Sequence, residues 1–407
     1  MPKTDAFYLL QAIRNGTVPQ FGTHLIATGI DHHLEELCGL LDSVDQKHSL
    51  FKWIIGEYGS GKTFLTMAFQ EKCLQKRAIV SNITISQETP MHKFEDFYKS
   101  VIQHLTLPES PLVSGLPILL ETWLLQLENQ VKESVSSQDK HISKESKQLL
   151  KNLVGESLTQ LGQTDSGFTR ALQAYYEARW SKDNTALNAV IGWLKGERIP
   201  YTIKDRIGLI GEVNRQTAYS HLQVLLYLIR SVGYHSLVII IDEVESLLRL
   251  RTQNLRQSAY DNIRYLLDEC SKDHFPNCFF LFTGTPALLD DERGFPGFPA
   301  LLDRLYSFRE THYENYRLPL LYIDPWNEEK AFAVSKKIYQ LHRETYAWNQ
   351  PLSEEILQQF IQQYVTHIQN KNLVPRHFLK CLVDNLDKKQ QYPAYDILSF
   401  TEEPSYD

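Results

Sequence analysis

The 407-residue sequence predicts an α/β fold, a parallel sheet flanked by helices, with a helical insertion and a small C-terminal helical domain. Three observations predict it. Short apolar runs, "SLFKWIIG", "LVIII" and "CFFLF", alternate with stretches of helical spacing, as strands covered on both faces do. A glycine-rich octet, "GEYGSGKT" at 56–63, stands between the first of these runs and a helix. Two acids, Asp242 and Glu243, close the second run, at the strand edge where open α/β sheets bind ligands.

In chain order, residues 5–14 and 31–44 carry helical spacing through Phe7, Leu10 and Ile13, then Leu34, Leu37, Cys38 and Leu41. "SLFKWIIG" follows as a buried strand, and "KTFLTMAFQEKCLQK" as a helix with Phe64, Met67, Ala68 and Leu74 on one side. A second strand, "RAIVSNITI", starts at 77. From 88 to 232 the chain is mostly helical and uneven, and its polar stretch "ESVSSQDKHISKESK" reads as a loop or frayed helix. Strands return at 237–241 and from Cys278; "YRLPLLYI" is a weaker one because of its proline. Three helices follow 325, and "QQYPAYDILSFTEEPSYD" reads as an acidic tail. The expected division is 1–104 and 233–324 for the two parts of the sheet layer, 105–232 for the insertion, 325–390 for the small domain and 391–407 for the tail.

Composition excludes several classes. With 43% hydrophobic and 22% charged residues the balance is globular, and a net charge of −7 argues against wholesale coating of nucleic acid, so any polyanion contact must be local. Five scattered cysteines, Cys38, Cys73, Cys270, Cys278 and Cys381, contain no C-x-x-C pair, which suggests packed thiols rather than disulfides or zinc. No basic segment leads into an apolar core at the start, and no apolar run approaches the ~18 residues of a membrane span, so a cytoplasmic protein without membrane contact is expected. His32 and His33 lack a third ligand and read as a solvated helix start. Tyr175, Tyr176 and Trp180 share helical spacing that most often means core. No Ser/His/Asp or Cys/His nucleophile set is visible.

The octet fits G-x-x-x-x-G-K-[ST] through Gly56, Gly61, Lys62 and Thr63, with Gly59 in addition. At ordinary residue frequencies chance produces the pattern in about one chain per hundred of this length. Glycines let the loop wrap so that backbone N–H groups point inward, and the helix N-terminus adds partial positive charge. The binding residues are then Gly56, Glu57, Tyr58, Gly59, Ser60, Gly61, Lys62, Thr63 and Phe64. Lys62 would neutralise the β and γ phosphates of ATP, and Thr63 would ligate Mg²⁺. Asp242 would hold the same Mg²⁺ through water, and Glu243 would polarise an attacking water, a pairing that signals hydrolysis. The bland alternative is two solvated acids capping "VESLLRL".

Taken together, "GEYGSGKT", "SNITISQETP", "AYYEARW…WLKGERIP", "LVIIIDEVESLLR" and "FTGTP" resemble the BREX-type P-loop ATP-binding proteins of bacterial phage defence, in particular the D-type subunit. That family is similar to AAA+ ATPases of the origin-recognition and transposition-regulator branch. The resemblance runs over roughly 5–387 and implies a P-loop NTPase of AAA+ type whose small domain is a lid. It implies Thr283, with Thr285 as competitor, as sensor 1 contacting the γ phosphate or the water. Arg304 in "ALLDRLYSF" lies where an arginine finger would reach a neighbouring subunit; the alternative is a surface pair with Asp303 or Glu310. Arg376 in "NLVPRHFLK" corresponds to the sensor 2 arginine, or is a solvated first-turn residue. One departure is Gly29 in "IATGIDHH", where many AAA+ relatives carry an arginine.

"RLRTQNLRQSAYDNIRY" sets Arg249, Arg251, Arg256 and Arg264 against one acid, Asp261. On a helix Arg256, Tyr260 and Arg264 share a face that could track a DNA backbone, unless it is merely a wet charged face. The leading expectation is a homo-oligomeric Mg-ATPase driving assembly or remodelling on DNA, with other defence-system proteins as partners. Its rivals are a nucleotide-gated adaptor that hardly hydrolyses, a DNA-loading regulator of the transposition or replication type, and a small-molecule kinase lacking its arginine-rich lid.

Overall fold

The computed structural model describes residues 3–19, 21–134, 149, 152–159, 165–305, 315–348, 351–367 and 373–399. Six strands, β1 (Ser49–Gly56), β2 (Ile79–Thr84), β3 (Leu105–Thr106), β4 (Leu237–Asp242), β5 (Cys278–Gly284) and β6 (Leu320–Ile323), form one sheet in the order β3-β2-β4-β5-β1-β6. All pairings are parallel except that of β3 with β2. Every residue of β4 and β5 is buried, which is why these runs are continuously apolar rather than alternating.

Alternation reappears as a division between the two faces. Trp53, Ile55, Ile239, Ile241, Phe280 and Phe282 enter one core, while Ile54, Val238, Ile240, Phe279 and Leu281 enter another beneath the helices Asp31–Val44 and Lys62–Gln75. The first core also takes in Trp123, Phe168, Tyr175, Trp193 and Leu225 from the long helical segment between β3 and β4. That segment therefore shares its apolar interior with the sheet. Tyr175 is buried as expected, whereas Trp180 is 41% exposed. The polar stretch at 133–147 lies, from 135 on, outside the described residues.

A third core joins the helices Glu328–Tyr346, Glu354–His367 and Pro375–Gln391 to the helix Lys3–Arg14, through Leu9, Leu10 and Ile13 against Phe378 and Leu382. Both chain ends thus contribute to one bundle. The stretch read as a tail departs from expectation up to residue 399. Ile397 is 3% exposed in the bundle core, and the Tyr395 hydroxyl donates to Asn385 Oδ1 at 2.6 Å. Residues 400–407 lie outside the described residues.

Among the described residues, no helix is long and apolar enough to cross a membrane. All five cysteines are free, three of them buried, and burial pushes Cys73, Cys270 and Cys278 well above the ordinary thiol range.

Candidate nucleotide site

Parallel pairing brings Gly56, Asp242 and Gly284 to one edge of the sheet, with β5 between β1 and β4. At that edge the chain turns from β1 into the loop 56–61 and then into the helix Lys62–Gln75. Gly59 (φ 78°) and Gly61 (φ 103°) occupy the left-handed region, which L side chains rarely adopt. Gly59 also has no room for one, since a Cβ would lie 2.8 Å from Val374 Cγ1. The loop is therefore pressed against the bundle.

Within it, Lys62 is 7% exposed and its ammonium donates to Gly56 O at 2.8 Å and Glu57 O at 3.0 Å. Burial lowers its pKa; Glu245 is the strongest opposing charge, followed by Asp242, Glu57 and Glu243. The Thr63 hydroxyl donates to Asp242 Oδ2 at 3.2 Å, across 179 residues of sequence. Thr283, fully buried, donates to Asp242 Oδ1, and the Glu243 N–H donates to that oxygen at 3.0 Å and to Thr283 Oγ1 at 3.3 Å. Lys62, Thr63, Asp242, Glu243 and Thr283 are thus brought together. Glu243 is exposed, on a left-handed backbone (φ 57°). Ser60 is buried with its hydroxyl unpartnered, while Tyr58 is 75% exposed.

The donor set suits magnesium. Thr63 and Asp242 offer a hydroxyl and a carboxylate oxygen, the hard ligands Mg²⁺ takes when phosphate oxygens and waters complete its shell. Among the described residues no group of three or more His, Cys, Asp or Glu could hold a metal unaided. The ion would have to be shared with a phosphate.

A cavity of ≈ 220 Å³ opens beside the loop. Gly59, Ser60, Lys62, Thr63 and Phe64 line one wall, and Ile13, Ile26, Gly29 and His33 another. Trp326, Lys330, Val334, Arg376 and Leu379 close it from the bundle side. Arg376, in the first turn of its helix, therefore faces the same space as the loop. Gly29 is covered by the stem of Lys330, 3.4 Å from where a Cβ would stand, so a cation borders this side of the cavity. His33 is not solvated as expected: it is 8% exposed, with Nε2 2.9 Å from Tyr322 O and its ring against Tyr316.

Other expected residues lie elsewhere. Arg304 forms a two-pronged ion pair with Asp268 on the helix Gln253–Cys270 and also donates to Ala300 O. Among the described residues its partner is Asp268 and not the neighbouring Asp303, and Glu310 lies outside them. The stripe at 256, 260 and 264 does not present an aromatic to solvent. Tyr260 is 1% exposed, packed 4.3 Å from Phe298 and 6.0 Å from Phe295, so its ring is not available to stack on a base. Arg256 donates to Leu250 O at 2.6 Å and Arg264 pairs with Asp261 at 3.6 Å, which leaves Arg249 and Arg251 as the exposed cations of that segment.

Sequence reasoning missed Glu245, Lys330 and Trp326. For Glu245 the only signal in the sequence is a third acid three residues after Asp242; its side chain is brought to the site by the turn through left-handed Glu243 from β4 into the 3₁₀ segment Val244–Arg249.

A family model described as "BREX system ATP-binding protein BrxC/D" matches residues 1–404, and the chain belongs to that family. No curated protein matches it.

Proposed function

Taking a BREX-system ATP-binding protein as the premise, we propose that this chain is a Mg²⁺-dependent ATP hydrolase of AAA+ type, with the bundle as its lid. In this reading hydrolysis drives homo-oligomer assembly or remodelling on DNA in the bacterial cytoplasm, alongside other proteins of the defence system. The observation that carries it is the Thr63–Asp242 contact, which puts the phosphate-loop hydroxyl and the strand-end acid within reach of one ion.

Roles follow from position. The loop N–H groups and Lys62 hold the phosphates once the ammonium leaves its two carbonyls. Thr63 and Asp242 hold Mg²⁺, which supplies charge neutralisation on the β and γ phosphates. Thr283 fixes Asp242 and, as sensor 1, faces the γ phosphate; Glu243 polarises the water. Arg376 reaches the phosphates from the lid. Arg304 would leave Asp268 and enter a neighbour's site, where a cation on the transition-state charge is worth on the order of 10³-fold or more in rate.

The test is ATP turnover against protein concentration, with and without single- and double-stranded DNA. Turnover per chain should rise with concentration, and Arg304→Ala should abolish it while nucleotide is still bound. A dilute monomer with full activity would reject the oligomeric mechanism. The engaged Arg304–Asp268 pair favours one second reading, a nucleotide-gated adaptor in which the finger stays latched. That reading requires Glu243→Gln to leave phage defence intact.

A further inference from the structure

Glu245 lies in the first turn of the 3₁₀ segment after β4, and its side chain reaches back over the end of β5. A Cβ placed on Gly284 would lie 3.7 Å from Glu245 Oε2. That oxygen is shut off from solvent and receives no hydrogen bond. An unpaired buried acceptor is costly, roughly 1–3 kcal/mol, and native folds seldom leave one without a reason.

Its electrostatic surroundings narrow the reason. Burial raises the pKa of Glu245; Lys62 is the strongest opposing charge from another side chain, while Asp242 and Glu243 add to the rise. Lys62 in turn finds its strongest attraction in Glu245. Yet no ion pair joins them, and the Lys62 ammonium is spent on two backbone carbonyls. Lys62 and Glu245 thus belong to the same strand-end edge, Glu245 beside Gly284 and Lys62 on the phosphate loop, without pairing. Glu243, by contrast, is exposed.

We propose that Glu245 is a second catalytic carboxylate, which holds the attacking water in line with the γ phosphorus while Glu243 receives its proton. This rests on the ATP-hydrolase reading above. The water oxygen forms a bond to the γ phosphorus as the bond to the β–γ bridging oxygen breaks. The electron pair of that bond leaves with ADP, and the water's proton passes to the Glu243 carboxylate. Glu245 accepts the second O–H of the same water as a hydrogen bond, which satisfies its orphaned oxygen and fixes the direction of attack.

Glu245→Gln is the test, because it keeps the shape and removes only the charge, with no existing hydrogen bond to Oε2 to lose. Single-turnover hydrolysis at saturating Mg-ATP should fall at least 30-fold, roughly the lower range for a positioned catalytic group. In calorimetry the preference for ATP over ADP should rise about fivefold, since one negative charge no longer faces the γ phosphate. A rate within threefold of the wild type overturns the proposal, and so does a slower rate with the ATP/ADP preference unmoved. Failure of the wild-type chain to turn over ATP at any concentration would remove the hydrolase reading itself. An active wild type with an equally active Glu245→Gln removes this assignment alone.

Discussion

Two half-buried carboxylates, Asp387 in the helical bundle and Glu245 beside the phosphate loop, are treated in opposite ways. Asp387 Oδ2 receives Arg14 Nε at 2.6 Å, and Oδ1 receives Arg14 Nη2 at 2.7 Å and His342 Nε2 at 2.8 Å. The Trp348 indole donates to His342 Nδ1 at 3.0 Å, so the imidazole proton must sit on Nε2 and point at Asp387. Burial works against the charge, yet the donors of Arg14 and His342 hold Asp387 at about 2. At Glu245 burial prevails and one oxygen has no donor. Both oxygens of Asp387 find their donors within the fold, whereas beside the phosphate loop Glu245 Oε2 and the Ser60 hydroxyl are left for a ligand to complete.

Lys62→Ala breaks that contrast most severely. It should weaken ATP binding by about 3 kcal/mol, on the order of 100-fold, and leave thermal stability unchanged or higher, because burial disfavours the charge it removes. Calorimetry and a melting curve read both effects, and wild-type affinity in the variant would mean the loop is not a phosphate site.

Asp387→Asn sharpens the other side. It should cost about 2 kcal/mol of stability, seen as a lower melting temperature, without touching the groups around Lys62. The folded pKa of about 2 lies below the ordinary 3.8, so this stabilisation is full above about pH 4 and is lost as pH falls through the folded value. Acid melting of the wild type should contain that loss, and the variant should lack it.

Tyr260→Phe gives the smallest effect. The Tyr260 hydroxyl is buried without a partner, so deleting it should raise stability by about 1 kcal/mol, the penalty of an unpaired buried group being removed. A loss beyond about 1.5 kcal/mol in chemical denaturation would mean this oxygen is satisfied after all.

The strand–loop–helix unit and the strand ending in Asp242 were legible because their signals are local: an apolar run, a fixed glycine spacing and an acid at the run's end. What was not legible depends on which face turns inward. Helical spacing groups Arg256, Tyr260 and Arg264, but only the packing of Phe295 and Phe298 turns Tyr260 away from solvent. Arg304 finds Asp268, 36 residues away, rather than its sequence neighbour Asp303. His33 turns inward to a carbonyl of β6, 289 residues on. Glu245 was overlooked because only the tertiary packing shows its side chain reaching back over the end of β5 to Gly284.

The helix Lys3–Arg14 is synthesised long before the residues it packs against. Its apolar side, Leu9, Leu10 and Ile13, rests on residues near the far end of the chain, and Arg14 meets a carboxylate 373 residues later. At translation speeds of about 5–20 residues per second, that side stays unmatched for roughly 20 to 70 seconds. For that interval the apolar side of the helix is uncovered and the cavity beside the loop lacks the wall that Arg376 and Leu379 supply, so the nucleotide site is completed only when synthesis has passed them.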